Sequence, residues 1–249
     1  MKAIIITGAS QGIGEALANQ LLNEAHHICC ISRTSNPKLI ERAKQSSNKL
    51  SYFPFDLTRL NEIDQLFAEV FAAINAESKL DAIYLINNAG MLSPVAPIEL
   101  NSATSIIENV HVNLLAPMII TSNFIRLTQE MNIDKRIMNI SSASAKYLLP
   151  AQSCYSTAKA GLDSFSKSIN LEQSGKQYPV KVAAVYPGMI DTQLQAEIRS
   201  TSSKLFPYVE QFKQLAEAGQ LQTPDYTAEK LIEILFRHDF GSNALIEEL

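Results

Sequence analysis

Lys2-Ala3-Ile4-Ile5-Ile6-Thr7-Gly8-Ala9-Ser10-Gln11-Gly12-Ile13-Gly14 decides the fold. Residues 2–7 are apolar on both faces, as in a strand buried inside a parallel sheet. Glycines then break the run. Ile13, Leu17, Leu21 and Leu22 follow at helical spacing. The stretch is therefore a strand, a turn and a helix. Glycine allows the backbone to turn sharply and to approach a pyrophosphate with no Cβ in the way. The helix start adds free N–H groups and the positive end of its dipole. Gly8, Ser10, Gln11, Gly12 and Ile13 are the candidate phosphate contacts, and Gly14 allows the helix to pack close to the strand. The spacing is G-x-x-x-G-x-G rather than G-x-G-x-x-G.

Outward from this stretch, strands and helices alternate at intervals of about thirty residues. Strands are expected at 28–32, 50–55, 82–86, 136–140 and 180–186, with an edge strand at 243–246. Helices are expected at 37–47, 63–74, 102–127 (bent near Pro117), 154–175 and 226–237, with a polar helical stretch at 191–220. This order predicts an α/β fold of Rossmann type, a doubly wound, mainly parallel sheet with helices on both faces. No linker and no repeat interrupts the 249 residues, so one domain spans 1–249, with residues 191–220 as a lid over the substrate.

Composition excludes several classes. The chain is 46% hydrophobic and 18% charged, which suits a large core. Its net charge of −4 carries no basic stripe, so nucleic acid is not an expected partner. No membrane partner is expected either, because no run of about 18 apolar residues is evident. Residues 1–6 are too short for a signal peptide. Cys29, Cys30 and Cys154 are too few for a disulfide framework and fit a reducing cytoplasm. His26 and His27 beside Cys29 and Cys30 do not suggest a metal site, since neighbours on a strand point to opposite faces.

The second strand ends in Ser32-Arg33-Thr34. An NAD site usually carries an acidic residue about twenty positions past the glycines, and none stands there. Arg33 would instead clamp a 2′-phosphate, which points to NADPH/NADP as the cofactor. Asp56 ends the third strand, where it could accept from the adenine amino group or cap the next helix.

The chemistry is carried by Tyr155 and Lys159, four apart and so on one helix face. A lysine cation favours phenolate and should lower the tyrosine pKa, readying the phenol to protonate a developing alkoxide. Ser142 ends the fifth strand, where its hydroxyl could hold the substrate oxygen. Asn113 lies mid-helix and could hold a water linking Lys159 to solvent.

Together these motifs resemble the short-chain dehydrogenase/reductase family over nearly the whole chain. The resemblance rests on residues 7–14, Asn87-Asn88-Ala89-Gly90, Asn113, Ser142, Tyr155 with Lys159, and Pro187-Gly188 followed by Thr192. It implies a catalytic tetrad of Asn113, Ser142, Tyr155 and Lys159. It also implies cofactor contacts from Ile6, from Asn87 to Gly90, from Pro187, Gly188, Ile190 and Thr192, and from Tyr155 and Lys159. Segments 86–91, 191–195 and 198–200 are similar to a sepiapterin-reductase-like branch and, more narrowly, to its members that reduce one carbonyl of an aromatic α-diketone such as benzil to (S)-benzoin. Ser142, Leu148 and Met189 are the candidate substrate contacts, in an apolar pocket suited to a small apolar carbonyl compound. A pteridine carbonyl reductase and a non-enzymatic NADPH sensor are the alternatives; a pterin would want an acidic partner in the pocket. The resemblance also implies a homo-oligomer, a dimer or tetramer.

Overall fold

The isoleucine run forms β1 (Lys2–Thr7), and every residue after Lys2 is buried. Strand alternation splits it between two cores. Ile4 and Ile6 pack with Leu17, Leu21, Leu231 and Leu235 on one face. Ala3 and Ile5 pack with Phe67, Val70, Ile120 and Phe124 on the other. The structure, a computed structural model, describes residues 1–22, 26–45, 49–75 and 80–249.

The chain continues through α1 (Gly12–Leu21), β2 (His26–Ser32), α2 (Pro37–Gln45), β3 (Lys49–Pro54), α3 (Ile63–Asn75) and β4 (Ala82–Asn87). Then come α4 (Ala103–Val110), α5 (Ala116–Thr128), β5 (Asp134–Ile140), α6 (Ser153–Gln173) and β6 (Lys181–Val185). Last are α7 (Gln193–Ser200), α8 (Val209–Glu217), α9 (Pro224–Phe236) and β7 (Leu245–Ile246). The predicted extension of α2 to residue 47 lies outside the described residues. The strands form one parallel sheet in the order β3-β2-β1-β4-β5-β6-β7. The expected Rossmann-type fold is therefore present. The order reverses between β1 and β4, and such a reversal opens a crevice at the carboxyl ends of the strands.

Two features differ from the expectation. Residues 103–128 run as one helix of 26 residues, long and apolar enough to cross a bilayer by length and composition. Its apolar side chains Ala116, Ile120 and Phe124 are instead part of the core under the sheet. Its Asn109, Asn113 and Asn123 are buried and hydrogen-bonded within the protein. The second feature is a π-turn at His111–Leu115 joining α4 to α5, where a bend near Pro117 was expected. Proline has no N–H, so Pro117 cannot donate to the Asn113 carbonyl one turn earlier. The wide turn, closed by the Ala116 N–H on the His111 carbonyl, falls there.

Gly14 shows how tightly the first turn is packed. A Cβ there would lie 2.2 Å from the Gly8 carbonyl oxygen and 2.5 Å from Asn88 Nδ2. Backbone has no room to give, so α1 would have to move off β1. Gly14→Ala is expected to cost about 1–3 kcal/mol and to lower the melting temperature by several degrees. Thermal unfolding followed by circular dichroism checks this; an unchanged melting temperature would mean that α1 can shift freely.

Candidate active site

A cavity of about 470 Å³ opens at the crevice, lined from the carboxyl ends of β1 to β6. The glycine turn forms its floor: Gly8 and Gly12 hold φ of +70° and +59°, which favour glycine. Asn88 stitches the turn to β4, with Nδ2 donating to the carbonyls of Thr7 and Gly8 at 2.9 and 3.3 Å. The Thr7 hydroxyl in return accepts from the N–H groups of Asn88 and Ala89, each at 3.0 Å. Ser10, Gln11, Ile13, Arg33, Asp56, Ala89 and Gly90 line the same arm, as do Pro187, Gly188, Ile190 and Thr192 further along. Asp56 does not cap the next helix, the 3-10 turn at Leu60–Glu62, whose N-cap is Arg59. It lines the cavity, and its Oδ1 accepts from the N–H and hydroxyl of Thr58, each at 2.9 Å. The bond from the Thr58 N–H, with the hydroxyl and the Arg33 charge assisting, holds its pKa below the usual carboxylate value.

Ser142, Tyr155 and Lys159 meet at the bend of the cavity. The Ser142 hydroxyl faces the Tyr155 phenol closely enough to favour its charged form. Ser142 Oγ also accepts from the Ser144 N–H at 3.1 Å, which fixes its rotamer. Lys159 is almost fully buried, and burial brings its pKa down to about 8. The expected lowering of the Tyr155 pKa is not found. Burial raises it, and the nearby Ser142 hydroxyl only partly opposes this. The reason is geometric: Lys159 Nζ sits 5.6 Å from the centroid of the Tyr155 ring and donates to the Ile140 carbonyl at 2.8 Å. Tyr155 is thus held as a neutral phenol, the form that donates a proton.

Asn113 has a different task from the one expected. Its Nδ2 donates to the Met91 carbonyl at 2.8 Å and to Asn109 Oδ1 at 3.0 Å, while its Oδ1 accepts from the Met91 N–H at 3.1 Å. The side chain clamps the Gly90–Met91 backbone and leaves no donor for a water. It still borders Lys159 across Gly90. A Cβ on Gly90 would lie 3.1 Å from Asn113 Oδ1 and 3.7 Å from Lys159 Nζ. Asn109, one turn earlier, donates to the carbonyls of Leu92 and Ser93 at 3.1 and 2.7 Å.

Beyond Tyr155 the cavity turns apolar, lined by Met91, Leu92, Met189, Leu194, Ile198 and Phe212. Residues 191–220 cover this arm as α7 and α8. Their base is closed by Met189 and Asp191 pairing with Gln222 at 2.9 Å each, and Ser93 donates to Glu197 of α7. Phe206 is fully buried with Leu92, Val95, Tyr155 and Val209, so it packs the cap rather than the cavity wall.

Besides the wholly buried Asn113, four more candidates do not reach the cavity. Ile6 is wholly buried in the sheet, and Gly14 faces the Gly8 carbonyl. Asn87 is turned inward, donating to Asn139 Oδ1 at 2.8 Å and Thr121 Oγ1 at 3.3 Å. Leu148 is 72% exposed, because the loop after β5 carries it out to solvent. Conversely, Gln152 and Gln195 are buried cavity residues that sequence reading missed. Asn109 was missed too, although its spacing of four from Asn113 on one helix was a usable signal.

The sequence pattern of the short chain dehydrogenase family matches residues 2–203. The chain belongs to the short-chain dehydrogenase/reductase family, whose cofactors are nicotinamide dinucleotides. It is 40% identical to benzil reductase ((S)-benzoin forming) of Bacillus cereus over 99% of this chain and 98% of that one. It is 35% identical to the Bacillus subtilis (strain 168) protein of the same description, covering 94% and 93%. A solved short chain dehydrogenase/reductase from Saccharomyces cerevisiae superposes with a TM-score of 0.82 at 22% identity, covering 99% and 96%.

Asn109→Ala strips donors from the Leu92 and Ser93 carbonyls. Unsatisfied buried groups cost roughly 1–3 kcal/mol each, and the wall beside Tyr155 loosens. The variant is expected to melt several degrees lower and to show a raised substrate KM. Steady-state kinetics and melting on one preparation check both; wild-type values in each would leave the clamp without a role.

Proposed function

We propose that the protein is an NADPH-dependent carbonyl reductase that reduces one carbonyl of an aromatic α-diketone, converting benzil to (S)-benzoin. The observation that carries this reading is the Ser142–Tyr155 pair at the junction of a glycine-floored arm and an apolar arm. The first arm fits a dinucleotide, with positive-φ glycines at its turn and Arg33 at its far end. Held in that arm, NADPH would supply the hydride. Ser142 and the Tyr155 hydroxyl hold the carbonyl oxygen, and Tyr155 gives that oxygen its proton as charge develops. Lys159, anchored on the Ile140 carbonyl, places a cation beside the phenol. The apolar arm seats the aryl groups and excludes water, and residues 191–220 act as its lid. A dimer or tetramer is the assembly that the family resemblance suggests.

A second reading has one observation in its favour. Glu108 of α4 lines the cavity and offers the acidic partner that a pteridine would want. Rates on sepiapterin and benzil, measured side by side, separate the two substrates.

Arg33→Ala tests the cofactor. Loss of a charge-assisted contact of about 1.5–3 kcal/mol corresponds to roughly 10- to 150-fold weaker NADPH binding, with NADH unaffected. Fluorescence titration with both cofactors reads this directly. Equal losses for the two would reject a 2′-phosphate clamp.

A further inference from the structure

Behind Lys159, away from the cavity, lies a carboxyl group that the reaction above does not use. Asp163 is 7% exposed and stands one helical turn past Lys159 on α6. Two strand ends close over it. Tyr186, just past β6, donates to its Oδ2 at 2.6 Å. Ser141, just past β5, donates its hydroxyl to the Lys159 carbonyl at 3.4 Å and lies near enough to favour the charged form of Asp163. Oδ1 is buried and has no hydrogen-bond partner among the described residues.

The charged groups facing Asp163 are Lys167 and Lys159, both on α6; β5 and β6 present only the hydroxyls of Ser141 and Tyr186. Tyr186 in turn feels Glu247 and Tyr147. Lys159 has Asp163 as its ionic neighbour, with the Tyr155 ring and the Ile140 carbonyl on its other sides. A buried carboxylate and a buried ammonium are each costly alone and offset one another when close. The side chains at i and i+4 on a helix are neighbours.

We propose that Asp163 is a positioning residue that keeps Lys159 in its ammonium form and so sets the upper pH limit of the reduction. The proposal rests on the assignment of Tyr155 and Lys159 as the reacting pair. Burial lowers the Lys159 pKa to about 8 and the Asp163 charge opposes that fall. Without the charge, the pKa drops further, and the ammonium is lost at lower pH. Burial raises the Asp163 pKa, while Ser141, Tyr186, Lys167 and Lys159 draw it back.

The test is the pH dependence of kcat for the full chain saturated with NADPH and benzil, or with sepiapterin where that is the faster substrate. In Asp163→Asn the basic limb is expected to move to lower pH by roughly one unit, with the NADPH KM little changed. Asp163→Glu, which keeps the charge, should move it back. Should Asp163→Asn fail to fold, the smaller uncharged Asp163→Ser is read in the same way. Tyr186→Phe perturbs the packing but leaves the carboxylate, so its basic limb should stay in place. A wild-type limb in the uncharged variant overturns the proposal, as does an equal shift in Tyr186→Phe, which would mark Asp163 as merely structural. Lys159→Met distinguishes this failure from failure of the underlying assignment. Loss of activity there keeps Lys159 in the reaction whatever Asp163 does, whereas wild-type kcat and pH profile would remove the reading on which the proposal stands.

Discussion

The close approach of α1 to the carboxyl ends of β1 and β4 governs the rest of the structure. Gly14 lies against the Gly8 carbonyl, and Asn88 ties both strand ends together. Only with no Cβ at this seam can the helix start aim its N–H groups into the crevice opened by the β1–β4 reversal. The same seam sets where Ala89 to Met91 leave β4, and therefore where Asn113 and Asn109 can hold that backbone. The two ends of the cavity proposed for phosphate and for proton transfer are thus fixed by one stretch of packed backbone.

In the proposed reaction, the proton-transfer end works by a division of labour among buried groups. Burial favours the neutral phenol at Tyr155 and weakens the hold of Lys159 on its proton. Both effects share one cause, the scarcity of water around α6. Ser142 offsets part of it at Tyr155, and Asp163 offsets part of it at Lys159. On the proposed mechanism, a tyrosine that donates gains from being held neutral, and a lysine that stays cationic needs a counter-charge. The two side chains share a helix face yet depend on opposite supports.

Much of this was legible in the sequence where a local pattern carries it. Central parallel strands are apolar on both faces, so β1, β2 and β4 stood out as continuous runs. The turn at Gly8–Gly14 and the pair Tyr155–Lys159 are short motifs whose geometry follows from strand and helix periods. What stayed hidden depends on distant partners. Asn87 faces Asn139 and Thr121, not the cavity, and nothing near it in sequence says so. Asp163 meets Tyr186 23 residues away. Lys159 was expected at the Tyr155 hydroxyl, but the Ile140 carbonyl, brought close only by the fold, holds its Nζ. Leu148 was placed in the pocket by its apolarity, yet an exposed loop residue obeys no such rule.

The central claim is that a neutral, buried Tyr155 delivers the proton that completes carbonyl reduction. Turnover of NADPH by Tyr155→Phe, on a preparation shown to bind the cofactor as tightly as the unaltered protein, tests it most directly. General acid catalysis contributes on the order of 10²–10⁴-fold, so a kcat loss of that size with intact NADPH binding is predicted. A Tyr155→Phe enzyme that reduces benzil at the original rate would contradict the account.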